Sequence, residues 1–204
     1  MRAVTLANPK VIQLLQKNFV CSWKNIQGSD YAGTSNKHLP DYAATEVEMC
    51  AGHNNVQMFF MTSDGRVVNC LPGYWTSEAF LSEAQLALDL NKNYLSESSI
   101  AKRNEQFLDS HLNQVSKYDV TMLMKSQLTG FDQMVVAQQQ GTDFKRQAGN
   151  TKDLKSTVQI IHERMAERPY TPFGSFNIQS FVEMGQQSYS YHYGIPEKTK
   201  KKRS

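Results

Sequence analysis

A strand–turn–strand–helix unit between residues 56 and 90 constrains the fold of this chain more than any other feature. Residues 56–62 and 66–71 are rich in the aromatic and β-branched side chains that favour strands. The dipeptide Asp64-Gly65 between them is typical of a tight hairpin turn. Pro72-Gly73 ends the second strand, and Thr76 or Ser77 caps a helix. That helix carries an apolar face made of Phe80, Leu81, Ala84, Leu86, Leu88 and Leu90. The pattern predicts an antiparallel hairpin followed by a helix, and hence an α/β protein.

The remainder of the chain divides into a mixed first part and a helical second part. Asn8 and Pro9 suit the N-cap and first position of a helix that ends near residues 17–18, and a strand is predicted at 19–26. After about residue 95 the strand signals disappear. Helical periodicity then predicts helices at 97–117, 119–139, 151–168 and, more briefly, 177–184. The third of these has an apolar stripe made of Leu154, Val158, Ile161 and Met165.

Charge and hydropathy argue against a transmembrane protein and against a secreted one. The net charge of the 204 residues is +3, but the last eight residues alone carry +4, so the rest of the chain carries −1. No apolar run approaches the roughly eighteen residues that a transmembrane helix needs. Residues 1–6 are followed at once by Asn8, Pro9 and Lys10, which leaves no apolar core for a signal peptide. We therefore expect a cytoplasmic protein, unless its natural start lies upstream.

Residues from about 5 to 92 resemble the thioredoxin-like superfamily. The run from Asn8-Pro9 to Phe19-Val20 is similar to the end of that fold's first helix and its second strand. The elements that follow Asp64-Gly65, with Gly73-Tyr74 and Phe80-Leu81, are similar to its closing hairpin and last helix. The resemblance implies a thioredoxin-like mixed sheet with flanking helices at 1–95. We expect a mainly α-helical extension at 96–185, and a Tyr-rich arm with a basic tail at 186–204.

The chain departs from that family at its redox site. It contains no Cys-x-x-Cys motif, and by comparison with the family both this motif and the central strand of the sheet would lie at or before Met1. Asn54-Asn55-Val56 occupies the region where the family places a cis-proline. Three explanations stay open: a longer natural protein or a miscalled start, a rearranged fold, or a mistaken resemblance.

The three cysteines are the candidate catalytic residues, and each has a simpler structural interpretation. Cys21, within a predicted strand, and Cys70, at the end of another, are expected to be buried structural thiols. Cys50 precedes His53 by three residues, which is half of a zinc site or a possible nucleophile–base pair. Because no further ligand or orienting residue is evident, we expect neither a metal nor a cofactor. His162 is expected on a helix surface.

The C-terminal arm is a second candidate binding region. Tyrosines alternate along it, and cations follow; these residues are Tyr189, Tyr191, Tyr193, Lys200, Lys201, Lys202 and Arg203. Stacking rings beside cations suit single-stranded nucleic acid, and a basic tail suits an anionic membrane surface. The aromatic and basic residues form separate blocks, however, so we expect the tyrosines to dock the arm and the tail to be solvated.

The resemblance, together with the missing Cys-x-x-Cys motif and the missing cis-proline, implies a non-catalytic thioredoxin-fold protein that acts in protein binding or as a structural module. The alternative is a thiol-disulfide oxidoreductase-like enzyme whose redox motif lies upstream of Met1, or which uses a single cysteine. A nucleic-acid or membrane adaptor that works through the tail is a third hypothesis.

Overall fold

The computed structural model describes residues 4–26, 57–119, 156–178 and 181. Within these ranges the protein is a mixed α/β structure with four α-helices and one two-stranded antiparallel sheet. The elements in chain order are α1 (Pro9–Asn18), β1 (Gln57–Met61), β2 (Val67–Pro72), α2 (Ser77–Ser96), α3 (Ile100–Gln114), a 3-10 turn (Val115–Lys117), α4 (Thr157–Ala166) and a second 3-10 turn (Phe173–Ser175). No helix in the described ranges is both long enough and apolar enough to cross a membrane.

The predicted hairpin and the helix after it are confirmed. Strand β1 pairs with β2, and Gly65 in the turn has a φ of 80°, which favours glycine. Thr76 is the N-cap of α2, since its side-chain oxygen accepts a hydrogen bond from the backbone N–H of Ala79 at 3.2 Å. Helix α2 packs on both strands. These elements form where the turn, cap and apolar periodicity place them.

A β-bulge interrupts the ladder next to the turn. Phe60 pairs with Asn69, whereas Met61 pairs with Val67, so Val68 has no partner on β1. A bulge leaves one residue outside the regular hydrogen bonding of the ladder. The backbone carbonyl of Val68 is therefore available to another part of the molecule.

The N-terminal helix is confirmed, but the strand predicted after it is wrong. The side chain of Asn8 accepts from the N–H of Lys10 at 2.9 Å, and α1 then runs to Asn18. Residues 19–26 pair with no strand among the described residues. Phe19 packs against the sheet, where its ring centroid lies 5.3 Å from that of Phe60. Strand-forming side chains favour an extended backbone, but a strand also needs a neighbour.

The described elements share one hydrophobic core that continues past residue 95. Leu90 of α2, Phe107 of α3 and Ile161 of α4 all belong to it. The predicted stripe of α4 is confirmed at Val158, Ile161 and Met165, which are buried, while Leu154 lies outside the described residues. The proposed division at 95/96 thus stays a prediction, and α3 and α4 pack in the same core as the hairpin.

Several predicted segments lie outside the described residues. They are the helix at 119–139, apart from its first residue, most of the short helix at 177–184, and the arm and tail at 186–204.

Core packing can be tested with two leucines of the same helix. Leu90 is fully buried, whereas Leu95 is 70% exposed. We expect Leu90→Ala to lower the free energy of unfolding by about 2–5 kcal/mol, because it removes buried methyl groups and leaves a cavity. Leu95→Ala should change it by less than about 0.5 kcal/mol. Urea denaturation measures both, and equal losses in the two variants would contradict this packing.

Candidate functional site

A fully buried glutamate lies at the centre of the described structure. Glu83 is three residues after Phe80 and four before Ala87, so it occupies the apolar face of α2 that packs into the core. Its side chain is 0% exposed. A carboxylate buried in this way requires several hydrogen-bond donors or a counter-charge.

Donors from four parts of the chain meet this carboxylate. One oxygen, Oε2, accepts from Asn69 Nδ2 of β2 at 2.7 Å. The other, Oε1, accepts from Gln114 Nε2 of α3 at 3.0 Å and from the hydroxyl of Tyr118, directly after the 3-10 turn. His162 of α4 completes the set, with Nε2 at 3.2 Å from Oε1. Helices α2, α3 and α4 and strand β2 therefore converge on one anion.

Two histidines extend this network to the bulge. Nδ1 of His162 lies 3.1 Å from Nδ1 of His111, and Nε2 of His111 lies 3.1 Å from the carbonyl oxygen of Val68. A carbonyl oxygen only accepts, so Nε2 of His111 carries the hydrogen. The carbonyl left unpaired by the bulge is thus satisfied by a side chain of α3.

The direction of these hydrogen bonds assigns the charges. Burial, and next the positive charge of His162, lower the pKa of His111 to about 3, so His111 is neutral at physiological pH. With its hydrogen on Nε2, its Nδ1 accepts, and His162 must donate from Nδ1. His162 also faces the carboxylate of Glu83 with Nε2 and donates there. Protons on both ring nitrogens make His162 an imidazolium.

The same geometry keeps Glu83 ionised. Burial alone would raise the pKa of its carboxyl group. The charge of His162, together with hydrogen bonds from His162, Tyr118 and Asn69, outweighs burial and lowers that pKa to about 2. We call this set, Asn69, Glu83, His111, Gln114, Tyr118 and His162 with the carbonyl of Val68, the Glu83 network.

The Glu83 network is closed to solvent, which limits its chemistry. Glu83, His111 and His162 are each 0% exposed, so no substrate can touch them in this conformation. His162 directs opposite ring nitrogens at His111 and Glu83, so one metal ion could not bind all three residues. In the described part of the chain, no group of three or more His, Cys, Asp or Glu side chains suits a metal ion. The arrangement is suited to joining elements.

The structure corrects two sequence predictions about individual residues. Cys21 is exposed rather than buried, because the strand expected around it does not form. His162 is fully buried rather than on the surface. It follows Val158 by four residues and precedes Met165 by three, so it lies on the buried stripe of α4. Glu83, His111 and His162 each lie among the apolar residues of one helix face, and an ionisable side chain at such a position indicates burial. The sequence interpretation did not use this signal.

Cys70 follows Asn69 of the Glu83 network along β2, and its backbone N–H donates to Asn69 Oδ1 at 2.9 Å. Cys70 is buried in β2, and burial raises the pKa of its thiol well above the usual value, against a smaller opposing effect of Arg168. Cys50, His53 and the residues named in the C-terminal arm and tail lie outside the described residues.

Comparison with family models, with curated proteins and with solved structures finds no match to this chain.

The counter-charge can be tested by Glu83→Gln. This variant keeps the side-chain shape but leaves the imidazolium of His162 buried without its anion, so we expect a loss of about 3–5 kcal/mol in the free energy of unfolding. Glu105→Gln, at an exposed position of α3, is the matched control and should change it by less than about 0.5 kcal/mol. Urea denaturation at neutral pH measures both. A near-neutral effect of Glu83→Gln would show that no charge pair is buried there.

Stability should also fall on acidification in two stages. Unfolded His111 binds a proton below about pH 6.5 and folded His111 only near 3, so unfolding takes up a proton and becomes easier as the pH falls through this interval. The limiting slope is about 1.4 kcal/mol per pH unit. Glu83 adds a second loss between about pH 4.5 and 2, because its folded pKa is the lower one. Urea midpoints from pH 6 to 4, where a solvated histidine is charged as well, measure the first stage, and an unchanged midpoint would contradict it.

Proposed function

We propose that this chain is a non-catalytic protein of thioredoxin-like fold that acts in protein binding or as a structural module. The observation that carries the proposal is the closed state of the Glu83 network. Its acid and base groups contact one another and have no exposed surface. General acid–base catalysis requires such a group within hydrogen-bond reach of a substrate. Here these groups hold helices and a strand together instead.

The order and packing of the elements support the thioredoxin-like part of the proposal. An N-terminal helix is followed, after residues outside the described ranges, by an antiparallel hairpin and a helix. Helix α2 packs on both strands, and α1 packs on α2. This is the order that the resemblance of residues 5–92 implies for the end of that fold.

Cys70, one of the two described cysteines, supports a non-catalytic role. A reactive thiol needs access to solvent and a depressed pKa. Cys70 has neither, because burial both encloses its thiol and raises its pKa. Cys21 is an exposed free thiol, so its reactivity is a matter for the assay below.

An exposed segment after α1 offers support for protein binding. Residues 19–26 expose Val20 completely and Trp23 to 87%. Tryptophan is enriched among the residues that contribute most to protein–protein affinity.

Reduction of insulin disulfides by dithiothreitol tests this proposal against the oxidoreductase alternative. We expect the chain to give the rate of dithiothreitol alone, while an active thioredoxin measured in parallel accelerates the reaction. The variant with Cys21, Cys50 and Cys70 all replaced by serine is the matched control. Acceleration by the natural chain that disappears in this variant would overturn the proposal and favour the enzyme.

A further inference from the structure

Helix α4 joins the rest of the molecule through an apolar face and one charged side chain. Val158, Ile161 and Met165 form the apolar face, and His162 enters the Glu83 network beside them.

The ionisable groups that face His111 and His162 are Glu83 from α2 and Tyr118 after the 3-10 turn. Strand β2 contributes the carbonyl of Val68, and its Cys70 is also buried. The other cations of this segment point elsewhere: Arg164 Nη1 donates to the carbonyl of Phe181, and Arg168 Nη1 to that of Arg164.

This contact depends on His111 remaining neutral. Its Nδ1 accepts from His162 across 3.1 Å. A proton on that nitrogen would set two N–H groups against each other and would bury two imidazolium rings beside a single carboxylate. Buried like charges without compensating anions are strongly unfavourable. Because His111 lies on α3 and His162 on α4, the repulsion would act directly between these two helices.

The chain after α4 is held by contacts that do not titrate. The N–H of Val67 donates to the carbonyl of Thr171 at 2.9 Å, and the N–H of Phe173 donates to that of Gly65 at 2.9 Å. Pro169 lies between α4 and this anchored stretch. Acid therefore weakens the docking of α4 without weakening the bonds that fix residues 171–173 to the hairpin.

We propose that α4 is an acid-released element: protonation of His111 detaches it from α3 and β2 while the hairpin and α2 stay folded. This conformational response is independent of whether the protein acts as a binding module.

Linkage gives the size of the effect. Detached α4 leaves His111 solvated, with its ordinary pKa of 6.5, against about 3 in the docked state. His162, which is charged when docked, gives up its proton near neutral pH once it is solvated, and this favours release as the pH rises. The two effects together should raise the detached population about eightfold between pH 6.5 and 5.0. Glu83 contributes little in this interval, because both of its pKa values lie below it.

Hydrogen–deuterium exchange of the full chain, read by mass spectrometry at pH 6.5 and 5.0, tests the proposal. Rates are divided by the intrinsic exchange rates at each pH. We expect protection of peptides from α4 to fall about eightfold from pH 6.5 to 5.0, while peptides from β2 and α2 change far less. Equal losses in α4, β2 and α2 would mean global unfolding and would overturn the proposal, as would full protection of α4 at pH 5.0.

The variant His111→Gln isolates the proton responsible. Glutamine offers one donor for the carbonyl of Val68 and one acceptor for His162, and it does not titrate. We expect α4 in this variant to keep its protection at pH 5.0, and Lys102→Gln, at an exposed position of α3, to respond as the natural chain does. A full pH response in His111→Gln would overturn the proposal. If this variant does not fold, His111→Asn takes its place, and the comparison of the natural chain at two pH values still decides the result.

Discussion

The carboxylate of Glu83 is the interaction on which the rest of the described structure depends. Its position on the buried face of α2 takes a negative charge into the core, and this charge requires donors from neighbouring elements. Those donors come from β2, α3, the residue after the 3-10 turn and α4. Removing one partner from a buried ion pair costs more than the pair contributes relative to apolar side chains. The network therefore selects one arrangement of helices, in addition to any stability it adds.

The bulge in the hairpin belongs to the same arrangement. An extra residue at Val68 leaves a backbone carbonyl outside the ladder, and a histidine from α3 donates to it. That histidine accepts from His162, which in turn faces Glu83. A local irregularity of the sheet is thus linked to a helix that begins almost ninety residues later. The polar groups form a continuous chain of donors and acceptors, and its direction fixes which of the two histidines is charged.

The sequence predicts the local structure of this chain but does not predict the Glu83 network. The turn at Asp64-Gly65, the caps at Asn8 and Thr76 and the stripe of α4 depend on neighbours in sequence, and their residue types predict them. The prediction of a strand at 19–26 was wrong, because a strand also requires a second strand beside it. Glu83 and His162 are 79 residues apart, and no local pattern pairs them. Their common signal, an ionisable side chain on an apolar helix face, indicates burial but does not name a partner.

The proposed binding role rests on the burial of the acid and base groups of the Glu83 network and on the exposure of Trp23. The central claim is that a charged His162 and a neutral His111 lie side by side beside an ionised Glu83. Nitrogen-15 NMR of the histidine rings near neutral pH tests it most directly. We predict that both ring nitrogens of His162 show imidazolium shifts, and that His111 shows a neutral ring with hydrogen on Nε2. A neutral His162, or a His111 that carries its hydrogen on Nδ1, would contradict the account.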